Sequence, residues 1–189
     1  HSFSRRQRQM CIRDSHLIVG HHKFSNAINT ADFLARKGEN LVTIGIKPTY
    51  ASTAYGYIQY DENSEIDHFD AYHVKAFAEK PHSKLAKRFL SSGDFLWNAG
   101  MFFWRVSTFM DGLKKFLPEL HDSLTKIAPK LAAGQSIDEL WDFIEPESID
   151  YGLMEKASNI YVVSGEFSWN DIGSWNALYE VLNPSKNGN

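Results

Sequence analysis

The sequence holds one cysteine, Cys11, among its 189 residues. A lone cysteine excludes an intrachain disulfide, and it gives no sign of an oxidising compartment or of a cysteine-bound metal. Long apolar runs are missing too. The longest, around Leu41 to Ile46 and Ala99 to Trp104, are strand-sized and fall well short of the roughly 18 residues a membrane-spanning helix needs. No membrane span is expected, and the cytoplasm is the default location. The chain also lacks a glycine-rich phosphate loop, a nucleophile elbow and a zinc-ligand spacing. His21-His22 is an isolated pair that reads as exposed polar residues rather than a metal site.

Basic charge is scarce where the chain looks globular. The net charge is −3, yet Arg5, Arg6, Arg8 and Arg13 all fall in the first thirteen residues, which contain no acid. Without these four, 16 basic residues face 23 acidic ones and leave −7. A body that acidic has no general affinity for nucleic acid, whose phosphates demand a basic surface. Residues 1–15 are rich in Arg, Gln and Ser and carry no helical or strand periodicity, so they read as a non-native or disordered basic leader. Residues 16–189 read as the globular part.

At 43% hydrophobic and 23% charged, the chain as a whole can bury a sizeable core. Phe24, Ala27, Ile28, Ala31 and Leu34 recur at helical spacing from Lys23 to Lys37, with Gly38 as a stop. The β-branched run Leu41–Ile46 follows, too short for a helix and apolar enough for a strand buried on both faces. A helix leading into a buried strand predicts an α/β sheet. Further strands are expected at 55–60, 71–77 and 160–163, and an apolar segment at 95–104. Helices are expected at 83–90, with Leu85, Phe89 and Leu90 facing inward, and at 107–116, 118–127 and 137–143, with Pro129 and Gly134 separating the last two. The segment 168–175 should lead into a final helix.

Several residues carry chemistry in this frame. Glu79 and Lys80 stand side by side where Pro81 forbids the strand to continue. A carboxylate suits sugar hydroxyls and a lysine suits a phosphate, although Glu-Lys-Pro is also a common way out of a strand through a solvated turn. Gly56 lies within an aromatic strand-like run, where a glycine marks either a bulge or close approach by a ligand or another backbone. Asn98 is the lone polar side chain, indoles apart, in the most apolar segment. Its amide needs a partner, either the backbone of a tight Asn-Ala-Gly turn or a ligand hydroxyl. Asp171 precedes the expected last helix and could cap it or ligate a metal; Ser148 and Asp150 read as helix caps.

Taken together, Lys47-Pro48-Thr49, Tyr55-Gly56-Tyr57-Ile58, Phe77-Ala78-Glu79-Lys80-Pro81, Trp97-Asn98-Ala99-Gly100-Met101-Phe102, the run from Ser148 to Lys156 and Trp169-Asn170-Asp171-Ile172-Gly173-Ser174-Trp175 resemble the mannose-1-phosphate guanylyltransferases of the sugar-phosphate nucleotidyltransferase family. Each motif is weak alone, and six in the family's order make a strong signal. The resemblance implies a Rossmann-like, GT-A-like α/β domain with a mixed sheet and flanking helices. It implies GTP and mannose 1-phosphate as substrates, Mg²⁺ as cofactor, and GDP-mannose and pyrophosphate as products. It assigns close approach to Gly56, sugar hydroxyls to Glu79, the sugar phosphate to Lys80, a sugar hydrogen bond to Asn98 and the metal to Asp171, with Lys80 and Asp171 catalytic.

The departures from the pattern carry their own expectations. The family's glycine-rich, arginine-containing nucleotide loop is not in this sequence, and the family's second metal-binding aspartate should directly precede His16, where Ser15 stands. Asp14 is displaced by one residue, so the role is not transferred to it. The chain is therefore expected to be the C-terminal portion of the catalytic domain with N-terminal strands missing, unable to form GDP-mannose alone. Leu41–Ile46 should then be uncovered and stability low. A transferase for another hexose 1-phosphate, a non-catalytic sugar-phosphate-binding regulatory subunit, and a homo-oligomer all remain open readings.

Overall fold

The computed structural model describes residues 16–66, 69–173 and 178–179; the leader 1–15 and all of the expected last helix except 178–179 lie outside the described residues. The strands are β1 (His16–Val19), β2 (Leu41–Ile46), β3 (Tyr57–Tyr60), β4 (Ala71–Ala78), β5 (Phe95–Phe103), β6 (Ile160–Gly165) and β7 (Ser168–Asp171); helix α1 (His21–Lys37) follows β1, α2 (Ser83–Ser92) follows β4, and α3 (Val106–Phe116), α4 (Pro118–Ala132) and α5 (Asp138–Trp141) follow one another after β5. The α/β expectation and the mixed sheet are both realised. β2 pairs parallel with β6, and the remaining pairings are antiparallel.

The sheet differs from an open Rossmann-like arrangement. Five strands close on themselves in the order β2-β5-β3-β4-β6. Closure comes from β4, whose first residues pair with β6 (Ala71 opposite Val163) while its last pair with β3 (Ala78 opposite Tyr57). A strand of eight residues is long enough to serve two neighbours in succession. β1 and β7 form a separate two-stranded ribbon.

That closure corrects the expected exposure of Leu41–Ile46. β2 lies between β5 and β6, and all six of its residues are buried. Helix α1 covers β2 and β6 through Ala27, Ala31, Leu34 and Ala35, an i, i+4, i+7, i+8 stripe whose small alanines let the helix lie close to the sheet. His21 and His22 open that helix and are exposed, as the sequence suggests.

Other boundaries shift for local reasons. Helix α2 runs to Ser92 and ends at Gly93, in the left-handed conformation at φ 86°; it buries Ala86 and leaves Leu90 exposed, against the inward placement expected for Leu90. Helix α4 continues through Pro129 to Ala132, so that proline does not separate it from the next helix. A proline in the last turn removes only one of the closing hydrogen bonds, and the stop comes at Gly134 with φ 69°. The expected helix at 137–143 shrinks to the single turn of α5. Among the described residues, no helix is long and apolar enough to cross a membrane.

Candidate functional site

Gly56 does not sit inside a strand as a bulge. It precedes β3, and its carbonyl accepts a hydrogen bond from the Asn98 backbone N–H at 2.8 Å, extending the β3–β5 ladder by one step. A Cβ at Gly56 would run directly into Glu79 Oε2. The glycine therefore makes the space that the Glu79 carboxylate fills, an occupant that was not among the expected ones.

Glu79 and Lys80 follow the end of β4. Lys80 has φ 44°, a left-handed conformation uncommon for a residue with a side chain. Holding a residue with a Cβ there costs about 1–3 kcal/mol. The turn separates the two charges by burial. The Glu79 side chain is 15% exposed and the Lys80 side chain 65%, with Nζ 3.5 Å from Glu79 Oε1.

Asn98 lies in β5, which runs unbroken from Phe95 to Phe103, so the expected turn is instead an irregularity within a strand. Thr43 pairs with Phe102 and Gly45 with Asn98, which leaves extra residues on β5 between the two pairs. Gly100, at φ 65°, takes the left-handed position that such a bulge requires. The bulge feeds the Asn98 side chain: Oδ1 accepts from the Gly100 N–H at 3.0 Å and from Thr43 Oγ1 at 3.1 Å. Nδ2 donates to Asp150 Oδ1 at 3.0 Å. The backbone of Asn98-Ala99-Gly100 supplies one partner, the Gly100 N–H, and the other two lie far away in sequence.

Asp150 is not a simple helix cap. It begins a one-turn π-helix, Asp150–Met154, whose Gly152, Leu153 and Met154 are buried. Ser148 does cap, accepting the Tyr151 N–H on its Oγ at 3.3 Å. Asp171 ends β7, opposite His16 on β1, with His16 Nε2 3.7 Å from Asp171 Oδ1. An aromatic wall stands beside it: Tyr55 packs on Trp169 at 5.0 Å and on Trp97 at 5.1 Å between ring centroids. Burial, first, then the neighbouring Tyr50 and the charge of Asp171, push the Tyr55 phenol well above its usual range, against a smaller opposing hydrogen bond from the Asp171 backbone. It stays a neutral hydroxyl in ordinary buffers.

These pieces meet in one cavity of about 240 Å³, lined by Gly56, Glu79, Lys80, Asn98, Asp150 and Asp171 among others. All five candidate residues line it, brought from four separate parts of the chain. Sequence reasoning missed Asp150 as a lining carboxylate, and Tyr55, Tyr151 and Trp169 as walls. It also missed Thr43, although a lone hydroxyl in the apolar run 41–46 carries the same signal that drew attention to Asn98. The cavity's charged lining is three carboxylates and one ammonium. Such a lining repels a phosphate dianion unless a further cation comes with it.

The donor set is consistent with Mg²⁺, which prefers oxygen ligands and commonly binds through one or two carboxylates plus substrate phosphates. Asp171 supplies such a carboxylate. Among the described residues no group of three or more metal-ligating side chains exists, so these residues alone do not build a complete metal cage.

Comparison with known proteins gives a consistent picture. The family model described as nucleotidyl transferase matches residues 2–187. A mannose-1-phosphate guanylyltransferase of Klebsiella pneumoniae is 36% identical over 190 residues, covering 95% of this chain and 39% of that protein. The chain thus spans about two-fifths of the length of the curated relatives it matches. Among solved structures, a mannose-1-phosphate geranyltransferase from Thermus thermophilus superposes with a TM-score of 0.77 at 32% identity, over 90% of this chain and 48% of that one. A mannose-6-phosphate isomerase from Helicobacter pylori gives a TM-score of 0.70 at 30% identity, over 82% and 61%.

Proposed function

Because the chain belongs to the nucleotidyl transferase family, we propose that its cavity is the sugar-phosphate side of a mannose-1-phosphate guanylyltransferase site. In that reaction a phosphate oxygen of mannose 1-phosphate attacks the α-phosphorus of GTP. The bond to the β-phosphate breaks, pyrophosphate leaves and GDP-mannose forms. The observation that carries the reading is the convergence of Gly56, Glu79, Lys80, Asn98 and Asp171 on one cavity of about 240 Å³. The similarity to guanylyltransferases and to their sugar-phosphate chemistry supports the choice of substrate. The finer description of the fold as GT-A-like rests on the same resemblance.

In phosphoryl transfer a protein mainly positions reactants and offsets charge. Glu79, held over Gly56, accepts hydrogen bonds from sugar hydroxyls. Lys80, aimed by its left-handed backbone and largely solvated, meets the sugar phosphate. Asp171 would hold Mg²⁺, whose charge offsets that of the phosphates when it is bound. Tyr55 and Trp169 exclude water from the floor beside Asp171.

Titration calorimetry with mannose 1-phosphate, with and without Mg²⁺, tests this directly. Binding is expected in the unaltered chain, stronger with Mg²⁺, and weakened at least tenfold in Lys80→Ala. A folded chain that gives no heat with mannose 1-phosphate sinks the reading. Tighter binding of glucose 1-phosphate would move it to another hexose.

A further inference from the structure

We propose that Asp150 is the carboxylate by which this cavity reads a sugar hydroxyl, and that Asn98 is the positioning residue that aims it. The inference rests on the sugar-phosphate reading and refines it. The hydrogen bonds of the Asn98 amide are almost fully committed. Its carbonyl oxygen has two lone pairs, and both are used, by the Thr43 hydroxyl and the Gly100 N–H. One of the two amide N–H groups is used by Asp150. Asn98 is 9% exposed, so an amide held from three sides has no freedom to follow a ligand and one N–H left to offer.

Asp150 has the opposite character. Its Oδ1 is fixed by Asn98, while no hydrogen bond to Oδ2 is found among the described residues, and the residue lines the cavity. Its backbone is held firmly. It opens a π-helical turn whose next residue but one, Gly152, donates its N–H to the Ser148 carbonyl at 2.8 Å. That turn is packed so closely that a Cβ at Gly152 would stand 2.7 Å from Leu117 Cδ1. Single π-turns of this kind recur at functional sites. The result is a carboxylate oxygen presented from a rigid turn, with Glu79 presented from the end of β4 in the same cavity. Two fixed acceptors on different elements are what discrimination among sugar hydroxyls requires.

A purely structural role for Asp150 is distinguishable, because a second carboxylate affects the two parts of the ligand with opposite sign. It attracts hydroxyl donors and repels the phosphate. Titrating the full chain with mannose 1-phosphate and with inorganic phosphate, unaltered and as Asp150→Asn, reads both. Affinity for mannose 1-phosphate should fall about tenfold or more, the loss of one hydrogen bond to a charged group, while inorganic phosphate binds equally or more tightly. Thr43→Val removes one bond that holds Asn98 and should weaken mannose 1-phosphate severalfold with inorganic phosphate unchanged. It keeps the test open should Asp150→Asn fold poorly. Mannose 1-phosphate binding that is unchanged or tighter in Asp150→Asn overturns the inference, as does equal loss of both ligands in folded Asp150→Asn. No binding of mannose 1-phosphate by the unaltered chain overturns instead the sugar-phosphate reading beneath it.

Discussion

Gly56→Ala should separate binding from stability. The added Cβ runs into Glu79 Oε2, the far end of a flexible side chain, and stands 3.4 Å from Asn98 Cβ. Glu79 can swing away, which costs about 0.5–1.5 kcal/mol of rotamer strain. Replacing glycine by alanine restricts the unfolded chain and returns about 0.4–1 kcal/mol. Those two nearly cancel, and Tm should move by less than about 4 °C in a chain of this size. Binding does not share the cancellation. A displaced Glu79 no longer meets the sugar hydroxyls, and losing hydrogen bonds to a charged acceptor costs about 1.5–3 kcal/mol, or roughly 10- to 150-fold in Kd. Calorimetric titration with mannose 1-phosphate and a thermal melt read the two quantities on one sample. Adding Gly56→Ala to Glu79→Ala should cost no further affinity, because the space is then free. Unchanged affinity in the single variant, or a further loss in the double, refutes the argument.

At Lys80 both Lys80→Ala and Lys80→Gly remove the ammonium, but only glycine relieves the strain at φ 44°. Lys80→Gly should therefore be more stable than Lys80→Ala by on the order of 0.5–1 kcal/mol, and chemical denaturation showing the reverse order removes the strain from the account. Gly45→Ala should destabilise without any gain elsewhere. Its Cβ would stand 2.7 Å from both Leu96 Cδ1 and Val162 Cγ2, and overpacking a core costs about 1–3 kcal/mol; a melt within a degree of the unaltered chain would show the barrel wall to be slack. Asp94 is held below its ordinary carboxyl value of 3.8 by hydrogen bonds, first from Gln59, whose Nε2 donates at 2.7 Å, then from Ser92. A lowered folded pKa gives stability that is present above 3.8 and lost as pH falls through the folded value. Asp94→Asn should accordingly lower Tm at pH 7 and narrow its deficit toward pH 3, and a deficit independent of pH would contradict that cause.

What was legible in the sequence was whatever a short window encodes. Helix α1 is visible in the spacing of Ala27, Ala31 and Leu34, and β2 in the run of β-branched residues. The need of Asn98 for partners was legible as well, because a polar atom in an apolar stretch must be satisfied wherever it ends up. Its backbone partner Gly100 was legible too, but its two side-chain partners were not. Thr43 reaches it from 55 residues away and Asp150 from 52, and no local pattern encodes which hydroxyl the neighbouring strand brings alongside. The strand that Asp171 ends was hidden for the same reason. With four residues each, β1 and β7 are too short to announce themselves, and they exist as strands only through each other. The burial of Leu41–Ile46 was legible in its composition; the closure that covers it was not, because it depends on β4 pairing with two neighbours in turn and not on any strand's composition.

The position of Asp171 relative to Glu79 then depends on how the β1–β7 ribbon is fixed to the closed sheet, and the fixing is aromatic. Phe167, 6% exposed, leads into β7 and packs edge-on against Phe24 of α1 at 5.2 Å. Two residues later Trp169 rests on Tyr55, which rests on Trp97 of β5. Large rings with two rotatable bonds fix a strand at little conformational cost. A charged clasp in the same place would alter the field beside the carboxylates that, on the proposed reading, receive a phosphate and its cation. The aromatic stack holds Asp171 at the cavity while leaving the electrostatics there to Glu79, Lys80, Asp150 and Asp171.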